Sequence, residues 1–338
     1  MGSGSAFTVQ ETDRGYLMDF GKILLQGKKD FAAFKEKSEK NTVPSTAWSK
    51  GGHVVSDILR TALESGKLHQ SEPQRSTGLH PSELFYMCMR AKGLGENFPR
   101  VMSRIPGVVI KERQETISAS LRAKFDIGHS LHWLYQNKYL GPLGILKGSW
   151  RCHSCQEEIE GFYPTANVCS CGKNKWSFVE PKIEIPELCI TGHCDGIIDR
   201  GDGPWVMDIK TIDPTLFKSL KEPAMSYVYQ VHAYMMGLGI NRALILYVDK
   251  SSNMVNPTKE ILISYDESIE QRIRALSADY QEMNKTRALP PKTCDSDTCA
   301  AAKRCPYKDI CFGEDILDMF KDEWKQEGLE LKKGNKNG

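Results

Sequence analysis

The chain has 338 residues, 40% of them hydrophobic, with 45 Lys plus Arg against 43 Asp plus Glu and a formal charge of +2. That content supports a substantial core and excludes a chain disordered throughout, while the near-neutral balance excludes a globally basic nucleic-acid coat, so any such binding must come from local patches. No long uncharged apolar run marks a signal peptide or a membrane span, which reads as a cytoplasmic or nucleoid-associated protein that is not secreted and has no membrane partner.

Residues 1–5, Met-Gly-Ser-Gly-Ser, have the composition of an artificial leader. Residues 6–80 read as an N-terminal helical region, with helices over 19–37 and 54–63 and no evident chemistry. The next stretch, 81–94, predicts a helix capped by Ser82, with Cys88 inside it beside Arg90 and Lys92. A lone cysteine in that position is ordinarily a buried thiol. Residues 116–140 predict a long amphipathic helix with Leu121, Phe125, Gly128, Leu131 and Leu134 or Tyr135 on its apolar face. Glycine inside a helix costs about 1 kcal/mol relative to alanine, so Gly128 implies a close neighbour. His129 follows it, and His132 reads as a structural histidine.

Eleven cysteines without a secretion signal point to metal rather than to disulfides. Within residues 150–178, Cys152-His-Ser-Cys155 is followed by Cys169-Ser-Cys171-Gly172. Paired thiolates on two tight turns offer four soft ligands for tetrahedral Zn²⁺, a zinc ribbon whose role is to hold together an insert with little core of its own. Near the end stand Cys294, Cys299, Cys305 and Cys311. These suit a second zinc, or three of them suit a cubane cluster whose fourth ligand is either the local Cys294 or the distant Cys88. Cys189 and Cys194 read as core thiols.

The stretch 191–211, TGHCDGIIDRGDGPWVMDIKT, predicts two half-buried strands joined by a Gly-rich turn. Asp208 and Lys210 lie two apart on the second strand and share a face, while Ile209 takes the other. With Asp195 on the first strand, two carboxylates and a lysine converge, which is poor core design but suits a divalent cation and a phosphate. A helix over 224–239 then presents Gln230 and Tyr234 on one face. Residues 243–248, ALILYV, predict a fully buried strand, 260–264 another strand, and 267–285 a polar amphipathic helix. The element order gives an α/β core with an insert after its first helix.

This constellation resembles the PD-(D/E)XK nucleases of the RecB and AddB type, especially their iron-sulfur branch, which includes CRISPR-associated spacer-acquisition exonucleases. His129 in Gly-His-Ser-Leu-His resembles the family's helix histidine, Asp195 its first acid, Asp208-Ile209-Lys210 its acid-X-lysine, and Gln230-Val-His-Ala-Tyr234 its glutamine-tyrosine motif. The resemblance implies a restriction-endonuclease-like fold with a central mixed sheet flanked by helices. It also implies a site for Mg²⁺ or Mn²⁺ at His129, Asp195, Asp208 and the carbonyl of Ile209. Lys210 would then orient the attacking water, with Gln230 and Tyr234 positioning. A [4Fe-4S] cluster on Cys88, Cys299, Cys305 and Cys311, with Cys294 as substitute, would staple the two flanks of the core. Met89 stands where the family usually has proline, and the Cys299 to Cys305 spacing is longer than the family's.

The implied activity is a DNA exonuclease acting on single-stranded ends in recombination, repair or replication, delivered by a separate helicase or recombination protein. A structure-specific endonuclease or spacer-acquisition partner is the alternative, and a non-catalytic nucleic-acid-binding module is a third, from another class. The corresponding parts are 1–80, the N-terminal region; 81–149, the first part of the nuclease domain; 150–178, the zinc ribbon; 179–290, the nuclease core; 291–312, the iron-sulfur segment; and 313–338, a C-terminal helix and tail.

Overall fold

Residues 243–248 lack polar alternation because they form an interior strand of a sheet covered on both faces. The computed structural model describes residues 77–104, 118–165, 169–251 and 257–334. The helices expected over 19–37 and 54–63 lie outside them. Nine strands are described: β1 (Leu146–Cys152), β2 (Glu158–Phe162), β3 (Trp176–Val179), β4 (Lys182–Ile185), β5 (Ile190–His193), β6 (Gly196–Asp199), β7 (Pro204–Ile212), β8 (Arg242–Asp249) and β9 (Thr258–Ser264). The helices are α1 (Met89–Met102), α2 (Ala119–Leu134), α3 (Pro214–Ser219), α4 (Met225–Leu238), α5 (Glu267–Thr286), α6 (Ala300–Arg304), α7 (Lys308–Phe312) and α8 (Glu314–Gly334).

The main sheet runs β2-β1-β6-β7-β8-β9, with β3 also paired to β1, and β4-β5 forms a separate pair. Only β7 and β8 are parallel, joined through α3 and α4; the other pairs are antiparallel, so the sheet is mixed. Alternation along β7 and β8 feeds two cores. Val206, Ala243, Ile245 and Tyr247 face the larger one, with α1, α4, α5 and α8. Met207, Ile209, Leu244 and Leu246 face the smaller one, with Trp150 and with Leu131 and Tyr135 from the α2 side. The architecture is thus the expected α/β fold, a central mixed sheet between helices.

Three local details differ from the sequence reading. The helix expected from Ser82 is divided: a 3₁₀ turn, Pro81–Tyr86, starts from His80, and α1 begins afresh with Cys88 as its extended N-cap residue (φ −95, ψ 108). Pro81 fixes the first turn, and Glu83 accepts from the His80 N–H at 3.0 Å and from Lys92 Nζ at 2.6 Å, tying the two pieces together. Cys88 is therefore at a junction rather than inside a helix. The long helix beyond Ser118 continues after α2 as a π-helical segment, Tyr135–Leu140, and no residue of α2 is buried. The cysteine-rich insert is continuous with the main sheet, since β1 pairs with β2 and β3 while its first residues pair with β6.

Helix α8 closes the structure through apolar spacing rather than through its charged surface. Leu317, Phe320 and Trp324 are buried, and Phe320 stacks on Phe98 of α1 with centroids 5.6 Å apart. No helix among the described residues is long and apolar enough to cross a membrane. Replacing the fully buried Trp324 with Ala is expected to lower stability by about 3–5 kcal/mol, read from the midpoint of urea unfolding at unchanged slope.

Candidate active site

Strands β6 and β7 pair only as far as Gly196 opposite Met207, after which the edge of β7 is open. Asp195, in the bend before β6, fills that gap: its Oδ2 accepts from the Ile209 N–H at 2.5 Å. The Ile209 carbonyl leaves the strand towards the same edge, since both polar groups of a strand residue point to one side. Gly196 permits this approach, because a Cβ there would collide with Leu146.

On the face of β7 opposite Ile209, Lys210 Nζ donates to Asp208 Oδ1 at 3.0 Å and to Gln230 Oε1 at 3.0 Å. Gln230 Nε2 in turn donates to the Tyr234 hydroxyl oxygen at 2.7 Å, four residues along α4. The ammonium also lies 4.7 Å from the centroid of the Tyr227 ring. Thus four of the expected residues, Asp208, Lys210, Gln230 and Tyr234, form one connected chain, with Asp195 beside it.

The histidine that reaches this place is His132. Its Nδ1 lies 3.2 Å from Asp195 Oδ1, whereas His129 is exposed. Helix α2 packs on β7 at Gly128, where a Cβ would meet Thr211 Oγ1 at an ordinary 3.6 Å. His132 is one turn on from Gly128 and shares its inward face, while His129 is rotated about 100° away. Of the two histidines on this helix, the structure brings His132 and not the expected His129 to Asp195.

Glu180 and Gln136 are further members that the sequence reading missed. Oxygen and nitrogen atoms of His132, Glu180 and Asp195 lie within 4.8 Å of one another. Gln136, buried at the start of the π-helical segment, donates to Glu180 Oε1 at 3.0 Å and to the Asp195 carbonyl at 2.9 Å. The signal for Glu180 was an acid between two apolar strand runs, in Phe-Val-Glu180-Pro, immediately before a proline that ends pairing.

The charge of Asp195 acts on both Asp208 and Glu180, while Lys210 pairs with Asp208, and the protonation equilibria follow. Burial pushes Asp208 up to about 6, with the charge of Asp195 adding to it and Lys210 opposing. Burial, then Asp195, raises Glu180. Burial would depress His132 and Lys210, yet the neighbouring carboxylates hold both above their ordinary values. The two acids are raised chiefly by burial, and the two bases by their carboxylate neighbours. Asp208 Oδ2 is buried without a hydrogen bond, although it sits 2.8 Å from Lys210 Nζ in ion-pair contact. A hard divalent cation would offset the charge and use the spare oxygens.

Residues 151–312 match the PD-(D/E)XK nuclease superfamily. This segment is a PD-(D/E)XK nuclease superfamily domain. Glu180, Asp195, Asp208, Lys210, Gln230 and Tyr234 lie within the matched residues, and His132 precedes them. Among solved structures, SSO0001 aligns at a TM-score of 0.38 and 15% identity, covering 76% of this chain and 96% of that one. The alkaline exonuclease LHK-Exo of Laribacter hongkongensis aligns at a TM-score of 0.34 and 14% identity, covering 67% and 93%. Its complex with dAMP gives 0.33 and 14%, covering 61% and 89%. No curated protein sequence matches the chain.

The described fold carries two cysteine groups away from the acids. The Sγ atoms of Cys152, Cys155, Cys169 and Cys171 all lie within 4.8 Å of one another, with Cys152 and Cys171 at 3.7 Å and Cys155 and Cys169 at 3.3 Å. Four thiolates about 2.3 Å from a tetrahedral ion stand roughly 3.8 Å apart, so this group could hold one metal ion. Backbone N–H groups of Cys155 and Ser154 lower the Cys152 thiol to about 6, favouring the thiolate. At the other group, Cys88, Cys294, Cys305 and Cys311 line one small cavity with Arg90, Lys292 and Lys308. Arg90, itself buried, donates from Nε to Cys311 Sγ at 3.1 Å. Cys299, which is not among the lining residues, stands beside Cys294 and accepts from the Ala302 N–H at 3.3 Å. Cys194 is a core thiol, pushed by burial up to about 12.

The raised Asp208 fixes the sign of a pH effect on the protein without added divalent cation. Because its folded value of about 6 exceeds the ordinary 3.8, its charge costs nothing below about pH 4 and its full destabilisation, roughly 3 kcal/mol, is reached above about pH 6. Asp208→Asn should therefore match the parent near pH 4 and melt at a higher temperature by pH 7, the gap opening as pH rises and shrinking when Mn²⁺ is added.

Proposed function

We propose that this protein is a metal-dependent DNA exonuclease that hydrolyses phosphodiester bonds at single-stranded ends. The observation that carries the reading is the buried, incompletely bonded Asp208 carboxylate beside Asp195, Glu180, His132 and Lys210. Asp195, Asp208, His132 and Glu180, with the Ile209 carbonyl, would hold Mg²⁺ or Mn²⁺; the nitrogen donor among oxygens suits Mn²⁺ at least as well as Mg²⁺. When bound, the cation supplies Lewis acidity to a phosphate oxygen and lowers the pKa of a water.

Lys210 has the position to orient that water and to offset charge developing on the phosphoryl oxygens. Gln230 fixes the lysine by accepting one of its N–H bonds, and Tyr234 fixes Gln230 in turn. Burial raises Tyr234 well above its ordinary value, so its hydroxyl stays protonated and positions rather than transfers a proton. His132 and Gln136 set the orientation of Asp195 from its other side.

The first cysteine group is assigned to structural Zn²⁺, because it offers four thiolates and no open position. The second is assigned to a [4Fe-4S] cluster on Cys88, Cys305 and Cys311 with Cys294 or Cys299 as the fourth ligand. The cationic lining of Arg90, Lys292 and Lys308 suits an anionic cluster. Cys88 and Cys311 come from opposite ends of the described fold, so such a cluster would tie α1 to the segment after α5.

Asp208→Ala and Lys210→Ala are each expected to reduce cleavage by at least a hundredfold while leaving the far-ultraviolet spectrum unchanged. End-labelled linear and circular single-stranded DNA, incubated with Mn²⁺, Mg²⁺ or EDTA, separates the readings. Cutting of linear DNA alone, lost in EDTA, is the expected result; cutting of circles would replace the exonuclease with an endonuclease, and binding without cutting would leave only a binding module. His132→Ala should weaken Mn²⁺ binding tenfold or more in titration calorimetry, with His129→Ala within twofold of the parent. Elemental analysis of the purified protein should find zinc and iron together, and Cys311→Ser should lose the iron while keeping the zinc.

A further inference from the structure

Helix α2 was expected to bury Leu121 and Phe125, yet both are exposed, at 43% and 48%, and so is Trp133, at 47%. With the exposed His129 these residues stand at intervals of four and form one continuous stripe. The stripe drifts around the helix from the side that carries His132, whose Nδ1 contacts Asp195. Its Trp133 end follows His132 in the chain, about 100° around the helix from it, and its Leu121 end lies about 16 Å farther along the axis. Aromatic surface so placed is neither core nor a scattered exposed residue.

We infer that Phe125, His129 and Trp133 form a ledge on which successive bases of a single nucleic-acid strand stack while its phosphate occupies the acid cluster. The inference rests on the nuclease reading for the presence of a strand there, and the rest comes from the ledge. Rings four residues apart are spaced about 6 Å along a helix axis, roughly twice the 3.4 Å rise per nucleotide of duplex DNA. Such spacing accepts a strand with its bases drawn apart and cannot follow a stacked duplex.

Charge agrees with this occupant. Arg122, Lys124 and Lys138 outnumber Asp126 on α2 and the segment that continues it, so cations border the aromatic stripe. Lys138 Nζ lies over the Trp133 ring, 5.4 Å from its centroid, which brings a cation to the stripe for a backbone phosphate to meet. Aromatic rings interleaved with cations are how single strands are held without sequence preference, since every base has a π-face.

The test uses the full chain without divalent cation, so that nothing is cut. Binding of an oligothymidylate and of an abasic strand of equal length is measured by anisotropy, together with quenching of tryptophan emission. The double variant Phe125→Leu/Trp133→Leu keeps an apolar helix surface and removes the rings. It should bind oligothymidylate at least tenfold more weakly, bind the abasic strand as the parent does, and keep the same salt dependence. Trp133→Phe should retain most of the affinity, which a fold defect would not allow. Undiminished oligothymidylate binding by the double leucine variant would overturn the ledge and mark the stripe as a protein-docking face. Equal losses on both strands would overturn it in favour of a charge effect. Cleavage by the parent under Mn²⁺ is scored separately: base-dependent binding without cleavage removes the nuclease reading and leaves the ledge, and cleavage with ring-independent binding does the reverse.

Discussion

Lys210 is held between the carboxylate of Asp208 and the amide oxygen of Gln230 at the end of β7, and the charge of Asp195 also acts on it. Around it the fold accepts a cost that an ordinary core would avoid, because burying ionised carboxylates without full compensation is worth several kcal/mol. That imbalance explains why the sheet is built as it is. β6 separates from β7 one residue before the acids, so Asp195 can take the place of a neighbouring strand, and α4 is apolar on most sides yet turns Gln230 inward.

The stability for this arrangement comes from elsewhere. The two cores on either face of β7 and β8 are continuous aliphatic and aromatic packing, and the larger is closed by α8 through Phe320 and Trp324. Such rigid backing keeps charged groups apart from alternative partners and holds them at reacting distances. The two cysteine groups, if metallated as proposed, would add cross-links to this packing. One lies at the tips of β1 and β3, and the other lies between the N-cap of α1 and the segment holding α6 and α7.

Much of the site was legible in the residues. Asp208 and Lys210 share a face because strand periodicity is fixed at two, and Gln230 and Tyr234 share one because helix neighbours recur at four. The buried strand β8 followed from an unbroken apolar run, and the first cysteine group from the spacing of its pairs. The choice between His129 and His132 was not legible. Both lie on one helix near one glycine, and only the docking of α2 on β7 at Thr211 turns one of them to Asp195.

The sequence by itself determined the periodic and the chelating features: which residues alternate on β7, which recur on α4, and which thiols stand in pairs. These depend on the local geometry of the chain. Tertiary structure alone decided which histidine meets the acids, that Glu180 and Gln136 join them, and that Cys88 reaches Cys311 across the fold. It also decided that the aromatic stripe of α2 stays in solvent. The physical reason is that an apolar or titratable residue carries no record in its type of what will pack against it, and the rotation of a helix by one residue, about 100°, exchanges a site residue for a surface one.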